Sequence, residues 1–288
     1  MSEAKLLEGK ILAAKIQEEI RNIVEDAKSK SKRLPCLVSI QTDNNSSSEW
    51  YINQQEKLAA KLGIKFIKEV ILNEDQLLLK LQDLGGKVIT EVDGVFLSQP
   101  FPKNYNVNTI LANLSPMQDV EGISPATLGA IVLRQSVLIP PTAYAALQLI
   151  EYAVNESGRK LKGMKVAIVG QSAIVGRPLQ MLLGERRATT IVCNTGTSET
   201  DLQKFISESD IVVGCAGQPG LIKGKWIKEG AIVIDVGTTE IAGKLVGDIE
   251  FDEAKKRASY ITPVPGGVGP LTVTMLMKNL IQSYKQLQ

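Results

Sequence analysis

Two hydrophobic periods alternate along the chain, and the switches between them mark out its elements. Ala4 to Ser29 is charged and amphipathic, the pattern of a helix laid against a core. CLVSIQT, Cys36 to Thr42, is a continuous apolar-rich run and predicts a strand. Polar Asp43 to Ser48 predicts a loop, with Ser48 placed to cap a helix that runs to about Leu62. Tyr51 and Gln55 lie four residues apart on that helix and so share a face. Lys65 to Leu72, rich in Ile and Val, predicts a second strand, and Gln76 to Leu84 a helix. Asp93 to Ser98 predicts a short buried strand, stopped by the prolines of Gln99-Pro100-Phe101-Pro102. Strands alternating with helices imply parallel β–α units.

The middle of the chain changes character. Pro140 and Pro141 open a long helical pattern, and a proline pair at a helix entrance suits a domain junction. Lys165 to Val169 then predicts a strand, followed by a glycine turn, a helix and a strand ending Cys193, Asn194, Thr195. Further strands are predicted at Ile211–Cys215, Ala231–Val236 and Tyr260–Ile261. The segment Leu271–Gln288 predicts a helix that packs back across the junction. Two domains result, residues 1–139 and 140–270, with 271–288 returning to the first.

Composition refines this only in places. The chain has 288 residues, 44% apolar and 22% charged, ordinary for a globular protein of two domains. A net charge of +2, with no basic run interleaved by aromatics, gives no support to nucleic acid or an anionic membrane as partner. Cys36, Cys193 and Cys215 are too scattered for a metal spacing or a disulfide framework. The lack of histidine counts for more, because it removes the commonest zinc ligand and the commonest acid–base group together, and no metal site is expected. MSEAKLLEGK lacks the layout of a secretory signal and no apolar run reaches bilayer length, so a cytoplasmic location is expected.

The turn from Gly170 to Gly176 reads G-x-S-x-x-x-G, not G-x-G-x-x-G. A glycine permits the tight turn, the next helix N-terminus offers N–H groups to a pyrophosphate, and Ser172 is placed to donate a hydrogen bond there. Taken alone, the pattern suits a plain β–α turn as well as a nucleotide site. Its surroundings favour the site. GCAGQPG (Gly214 to Gly220) and DVGTT (Asp235 to Thr239) also follow strands with glycine, and in an open parallel sheet such carboxyl ends line one crevice. The strand ending at Thr195 offers neither a carboxylate for a ribose 2′-hydroxyl nor an arginine for a 2′-phosphate.

Together these segments resemble the bifunctional methylenetetrahydrofolate dehydrogenase/methenyltetrahydrofolate cyclohydrolase family, nearly end to end. The likeness is carried by LLEGK, the Ser48-to-Gly63 helix, DVEG at Asp119 to Gly122, VGQSAIVGRP, CAGQPGLIKG and GAIVIDVG. Its most specific piece is ITPVPGGVGPLTVTMLM, Ile261 to Met277. The resemblance implies an α/β protein of two α/β domains flanking a cleft, the C-terminal one a Rossmann-like doubly wound parallel sheet. Residues 1–139 would form the folate-binding catalytic domain and 140–270 the NAD(P)-binding domain. The family oxidises 5,10-methylenetetrahydrofolate by hydride transfer to NAD or NADP, then hydrolyses the methenyl product to 10-formyltetrahydrofolate. A tetrahydrofolate derivative is thus the implied substrate and a homodimer the implied assembly. On the family pattern Tyr51, Gln55, Ser98 and Glu121 form the catalytic set, and Tyr51, Ser98, Glu121, Pro265, Gly266 and Gly269 contact folate. Thr142, Gly170, Gln171, Ser172, Ile174 and Gly176 are the implied cofactor contacts, with Thr195, Ala216, Gly217 and Thr238.

The chain departs from that pattern where it matters. In the family's Y-x-x-x-K motif Gln55 stands at the lysine. Lys57 is no substitute, since six residues from Tyr51 place it about 120° round the helix. The Q-L-P-L-P segment reads SQPFP, which puts Ser98 at the glutamine, or Gln99 after a one-residue slip; adjacent strand residues face opposite sides, so one of them serves. D-V-D-G becomes DVEG, so Glu121 keeps the pterin-binding carboxylate on a longer arm. Asn194 and Thr195 replace the usual basic stretch for an NADP phosphate, leaving Arg177, Arg186 or Arg187 as substitutes, and NAD is slightly favoured.

These departures bear unequally on the two reactions. Hydride transfer needs the methylene carbon held against the nicotinamide, and the substrate's nitrogen lone pair drives it without a protein base. Hydrolysis needs a proton carrier as water attacks and the C–N bond breaks. Gln55 neither gains nor loses a proton near neutral pH. A dehydrogenase with weak or absent cyclohydrolase activity is therefore expected. Three altered positions also fit a non-catalytic homologue that binds folate or nucleotide without turnover. A dehydrogenase for a small acid would need a His or Lys–Asp relay, which the chain does not offer.

Overall fold

The computed structural model describes residues 3–86, 91–136 and 138–287. In chain order its elements are β1 (Lys5–Leu6), α1 (Gly9–Ser29), β2 (Cys36–Gln41), α2 (Ser46–Leu62), β3 (Lys65–Val70), α3 (Glu74–Gly86), β4 (Gly94–Leu97), α4 (Val107–Asn113), α5 (Pro125–Val132) and α6 (Pro141–Glu156). They continue with β5 (Lys165–Val169), α7 (Gly176–Glu185), β6 (Thr189–Cys193), α8 (Glu199–Glu208), β7 (Ile211–Gly214), β8 (Ile232–Asp235), β9 (Thr239–Ile241), β10 (Lys244–Val246), α9 (Phe251–Arg257), β11 (Tyr260–Ile261) and α10 (Val268–Gln286). They group into two compact units: residues 1–13 with 142–272, and residues 14–141 with 273–288.

Among its described residues the first unit holds a six-stranded sheet of order β1-β11-β8-β7-β5-β6, parallel throughout. β7 and β8 are buried along their whole length, as strands are when both faces of a parallel sheet are covered. β5 pairs with β6 on one flank and β7 on the other, so the chain reverses direction across the sheet there. That switch point is where doubly wound sheets bind ligands. Residues 1–13 belong to this unit because β1 pairs with β11 and the Gly9 N–H donates to the Gly266 carbonyl at 3.0 Å. A two-residue strand has no period to read, and the sequence pattern had merged it into the helix from Ala4.

In the second unit the strands run β3-β2-β4, again parallel. β2 is central and buried at all six positions, with Val38 and Ile40 in a cluster with Leu77, Leu81, Val95 and Leu97. α10 joins this core through polar contacts: Asn279 Nδ2 donates to the carbonyls of Val120 (2.8 Å) and Ile139 (2.7 Å). Arg33 grips the buried Asp93 with two 2.7 Å bonds.

Several boundaries differ from the pattern. α2 starts at Ser46, not Ser48: Asn45 is its cap, accepting the Ser47 N–H, while Ser48 Oγ donates to Asp43. Asparagine ranks with serine as a cap, and here Asn45 fills that position while Ser48 lies within the helix. α10 starts at Val268, three residues before the predicted Leu271, because Pro270 in a first turn needs no N–H partner. The β9–β10 hairpin escaped the sequence reading. It turns on Ala242 (φ 49°) and Gly243 (φ 76°), a two-residue left-handed turn without the Asn-Gly signature.

Candidate active site

In the second unit α2 carries Tyr51 and Gln55, the segment just after β4 carries Ser98 and Gln99, and the turn after residue 118 carries Asp119 and Glu121. The Tyr51 ring packs on Phe96 of β4, centroids 5.6 Å apart. Asp119 shapes the turn: its oxygens accept the N–H groups of Ile123 (3.1 Å) and Ser124 (2.8 Å). Gly122 completes it at φ 63°, where a side chain would run into Pro140. Glu121 stands within this turn. Its carboxyl pKa is pushed up to about 8, by burial first and the Asp119 charge second, against a hydrogen bond from Gln99. Its Oε2 is buried without a partner. Burial also raises the Tyr51 hydroxyl, with the Glu121 charge adding to it. Tyr51, Gln99 and Glu121 therefore form one cluster, and Asp119 shapes the turn that carries Glu121.

Gln55 and Ser98 sit differently. Gln55 is fully buried and its Oε1 accepts from Ser39 Oγ of β2 at 2.7 Å, leaving Nε2 without a partner. Ser98, taken from the resemblance as a catalytic and substrate-binding residue, is buried and committed to Thr42: its Oγ accepts the Thr42 N–H at 2.8 Å. Gln99, not Ser98, reaches Glu121. The strand alternation leaves the choice between Ser98 and Gln99 open; the Ser98 hydroxyl meets Thr42 and the Gln99 side chain meets Glu121. Lys57 is exposed.

In the first unit the turn after β5 is built by close approach. Gly170 has φ 121°, and a Cβ there would stand 2.3 Å from the Cys215 carbonyl oxygen; a Cβ on Gly176 would stand 2.1 Å from that of Gly170. Only glycine fits either position. Ser172 Oγ accepts the Val175 N–H at 3.2 Å, which leaves its proton free to donate. Gln171, Ser172 and Ile174 are exposed in the turn that leads into α7, a helix of ten residues with no acidic residue in its first turn. Ala216 and Gly217, exposed after β7, lie at the same switch point. Thr195 and Thr238 are exposed after β6 and β8, and Thr142 opens α6. Pro265, Gly266 and Gly269, the implied folate contacts, also belong to this unit, whereas Tyr51 and Glu121 belong to the second: Pro265 and Gly269 are exposed, and Gly266 has φ 111°. The Gly170–Gly176 turn has the close-packed shape that dinucleotide-binding sheets use around a pyrophosphate; in it the Val175 and Arg177 N–H groups are spent on Ser172, and Pro178 has none. The end of β6 lacks positive charge, and Asn194 Oδ1 turns inward to accept the Gly196 N–H at 2.8 Å. Arg186 is tied to Glu151 at 2.8 Å. Sequence reasoning missed Asp119, Asp235 and Asp248 as site-building residues. The first stands inside the quoted DVEG motif and the second inside DVGTT, so both were visible as carboxylates beside glycine.

Comparison with known proteins gives a consistent picture. Residues 7–121 match the model of the tetrahydrofolate dehydrogenase/cyclohydrolase catalytic domain, and residues 140–288 that of its NAD(P)-binding domain. The chain is 41% identical over 287 residues to the bifunctional protein FolD of Aquifex aeolicus, covering 98% of this chain and 96% of that one. It resembles the Trypanosoma brucei methylenetetrahydrofolate dehydrogenase-cyclohydrolase solved with NADP and an inhibitor: TM-score 0.91, 34% identity, 99% of each chain. A methylenetetrahydrofolate dehydrogenase from the silkworm Bombyx mori is similar at TM-score 0.88 and 30% identity, over 98% of each chain.

Proposed function

Because the chain belongs to the tetrahydrofolate dehydrogenase/cyclohydrolase family, we propose that it oxidises 5,10-methylenetetrahydrofolate to the 5,10-methenyl form and hydrolyses that product weakly or not at all. Gln55 is the observation that carries the distinction. It occupies the helix face of Tyr51 where a proton carrier is needed, it is an amide, and its oxygen is already held by Ser39. Losing a general acid–base costs roughly 10²–10⁴-fold in rate.

The second unit is the folate side of this reading. Tyr51 offers its ring to the pteridine. Glu121, steadied by Gln99, offers two oxygens to paired N–H donors of the ring, which suits a carboxylate. The first unit is the nucleotide side: the Gly170–Gly176 turn and the N-terminus of α7 receive the pyrophosphate, and Ser172 donates to it. A bound nicotinamide nucleotide would supply the hydride acceptor. NAD is favoured over NADP, supported by the uncharged Asn194–Gly196 turn and the engagement of Arg186. A cytoplasmic homodimer is proposed for location and assembly; among the described residues no helix is long and apolar enough to cross a membrane.

The test is reduction of NAD, followed by absorbance, when the purified protein meets 5,10-methylenetetrahydrofolate. Turnover supports the reading. Tight binding of folate and nucleotide without reduction would replace it by a non-catalytic binding role, which the unpartnered Gln55 and Glu121 atoms also suit.

A further inference from the structure

The turn that follows β7 is held by a carboxylate from a distant part of the first unit. Asp248 Oδ2 accepts the N–H groups of Ala216 at 2.6 Å and Gly217 at 3.0 Å. Asp248 is itself held by Asp235 at the end of β8. Asp235 Oδ1 accepts the N–H groups of Gly237 and Asp248, and its Oδ2 that of Ile249, each at 3.0 Å. Two glycines make room: a Cβ on Gly237 would stand 2.3 Å from Asp248 Oδ1, and one on Gly247 2.0 Å from Asp235 Oδ2. Both aspartates are buried, and the hydrogen bonds that meet their oxygens come from backbone N–H groups.

Burying two carboxylates beside one another is costly, and an apolar pair of the same volume would serve a plain core better. What the pair gains is geometry. Five N–H bonds tie together the segments after β7 and β8 and the strand of chain at 247–249. The first two segments carry Ala216, Gly217 and Thr238.

We propose that Asp248, fixed in turn by Asp235, is a positioning residue for the nucleotide site, setting the 215–217 turn in the conformation that receives a nicotinamide nucleotide. The inference rests on the reading that the first unit binds such a nucleotide. It also assigns the turn's chemistry. With the N–H groups of Ala216 and Gly217 spent on Asp248, the Cys215 carbonyl packed against Gly170 and the Gly217 carbonyl accepting the Thr239 hydroxyl at 3.4 Å, the Ala216 carbonyl is the acceptor this turn keeps for a ligand. It takes hydroxyl and amide donors of the nucleotide, while phosphate stays at the Gly170 turn.

The experiment compares NAD and tetrahydrofolate affinities, by titration calorimetry, in the parent protein and in Asp248→Ala and Asp248→Asn. Asparagine keeps an acceptor for the two N–H groups; alanine leaves them unmet. The expected result is an NAD affinity weakened about tenfold or more in Asp248→Ala, largely restored in Asp248→Asn, with tetrahydrofolate affinity unmoved in both. An Asp248→Ala protein that binds NAD like the parent overturns the inference. So does equal loss of NAD affinity in the alanine and asparagine variants. Should Asp248→Ala fail to fold, Gly237→Ala takes its place, since its methyl drives against Oδ1: unchanged NAD affinity there overturns the inference as well. A parent protein that binds neither NAD nor NADP overturns the functional reading instead.

Discussion

The two units build their sites from different material. In the first, the proposed nucleotide site is made of backbone: glycines pressed against carbonyls, a helix N-terminus, and aspartates whose oxygens take main-chain N–H groups. In the second, the site is made of side chains on α2, the segment after β4 and the 119–124 turn, with Gln55 Nε2 and Glu121 Oε2 buried without partners; in the first, Asp248 Oδ1 is likewise unpartnered while its Oδ2 holds two main-chain N–H groups. A backbone site tolerates little change, because each atom is also part of the fold. A side-chain site can lose one function and keep its shape, and the proposed role of Gln55 is of that kind.

The sharpest way to probe the contrast is to restore charge in the second unit. Gln55→Lys is expected to raise methenyl hydrolysis by roughly 10²-fold or more, read as loss of methenyl absorbance above the no-enzyme rate. It also removes the acceptor of the Ser39 hydroxyl proton, leaving Oγ to accept from the new ammonium instead, so a lower melting temperature accompanies the gain. Next comes the backbone of the first unit. Gly170→Ala forces φ 121° on a side chain and places its Cβ against the Cys215 carbonyl. A loss on the order of 3 kcal/mol is expected in denaturant titration, with NAD binding abolished. A tolerated Gly170→Ala would break the comparison.

Glu121 gives a smaller effect with a definite sign. Its folded pKa of about 8 lies above the ordinary 4.5. Between those values the folded protein holds a proton that the unfolded chain has released, so this group's contribution to stability falls as pH rises through the window. Glu121→Gln is expected to melt above the parent at pH 8.5 and level with it near pH 5, roughly the ends of that window. Folate affinity moves the other way. The N–H edge of the pteridine calls for the anion, so parent affinity climbs toward pH 8, while Glu121→Gln binds about tenfold more weakly there with a flat profile. Smallest is Asn45→Ala, expected to cost ~1 kcal/mol as a lost cap and to leave both ligand affinities alone.

The same division explains what the sequence made legible. Buried parallel strands announce themselves as apolar runs, so the strands of both sheets were readable apart from the two-residue β1, which owes its existence to β11. Glycines needed by close approach, Gly170 and Gly176, were visible as a spaced pair. The α/β class and the family followed from motifs that record such backbone demands. Side-chain commitments were not legible. Ser98 and Gln99 are neighbours, and nothing in SQPFP tells that one bonds Thr42 while the other meets Glu121. Nor does Gln55 reveal Ser39, sixteen residues earlier on another element, as its partner. Asp248 lies in a loop that carries no periodicity, and its two N–H partners are 31 and 32 positions away.

One measurement tests the central claim most directly: the rates of methylene oxidation and methenyl hydrolysis, taken on a single preparation of the unmodified protein with NAD. The account predicts sustained NADH formation and hydrolysis close to the uncatalysed rate, so that the methenyl product accumulates. Formyl product appearing as fast as NADH would contradict it, and would mean that a group other than the residue at position 55 carries the proton.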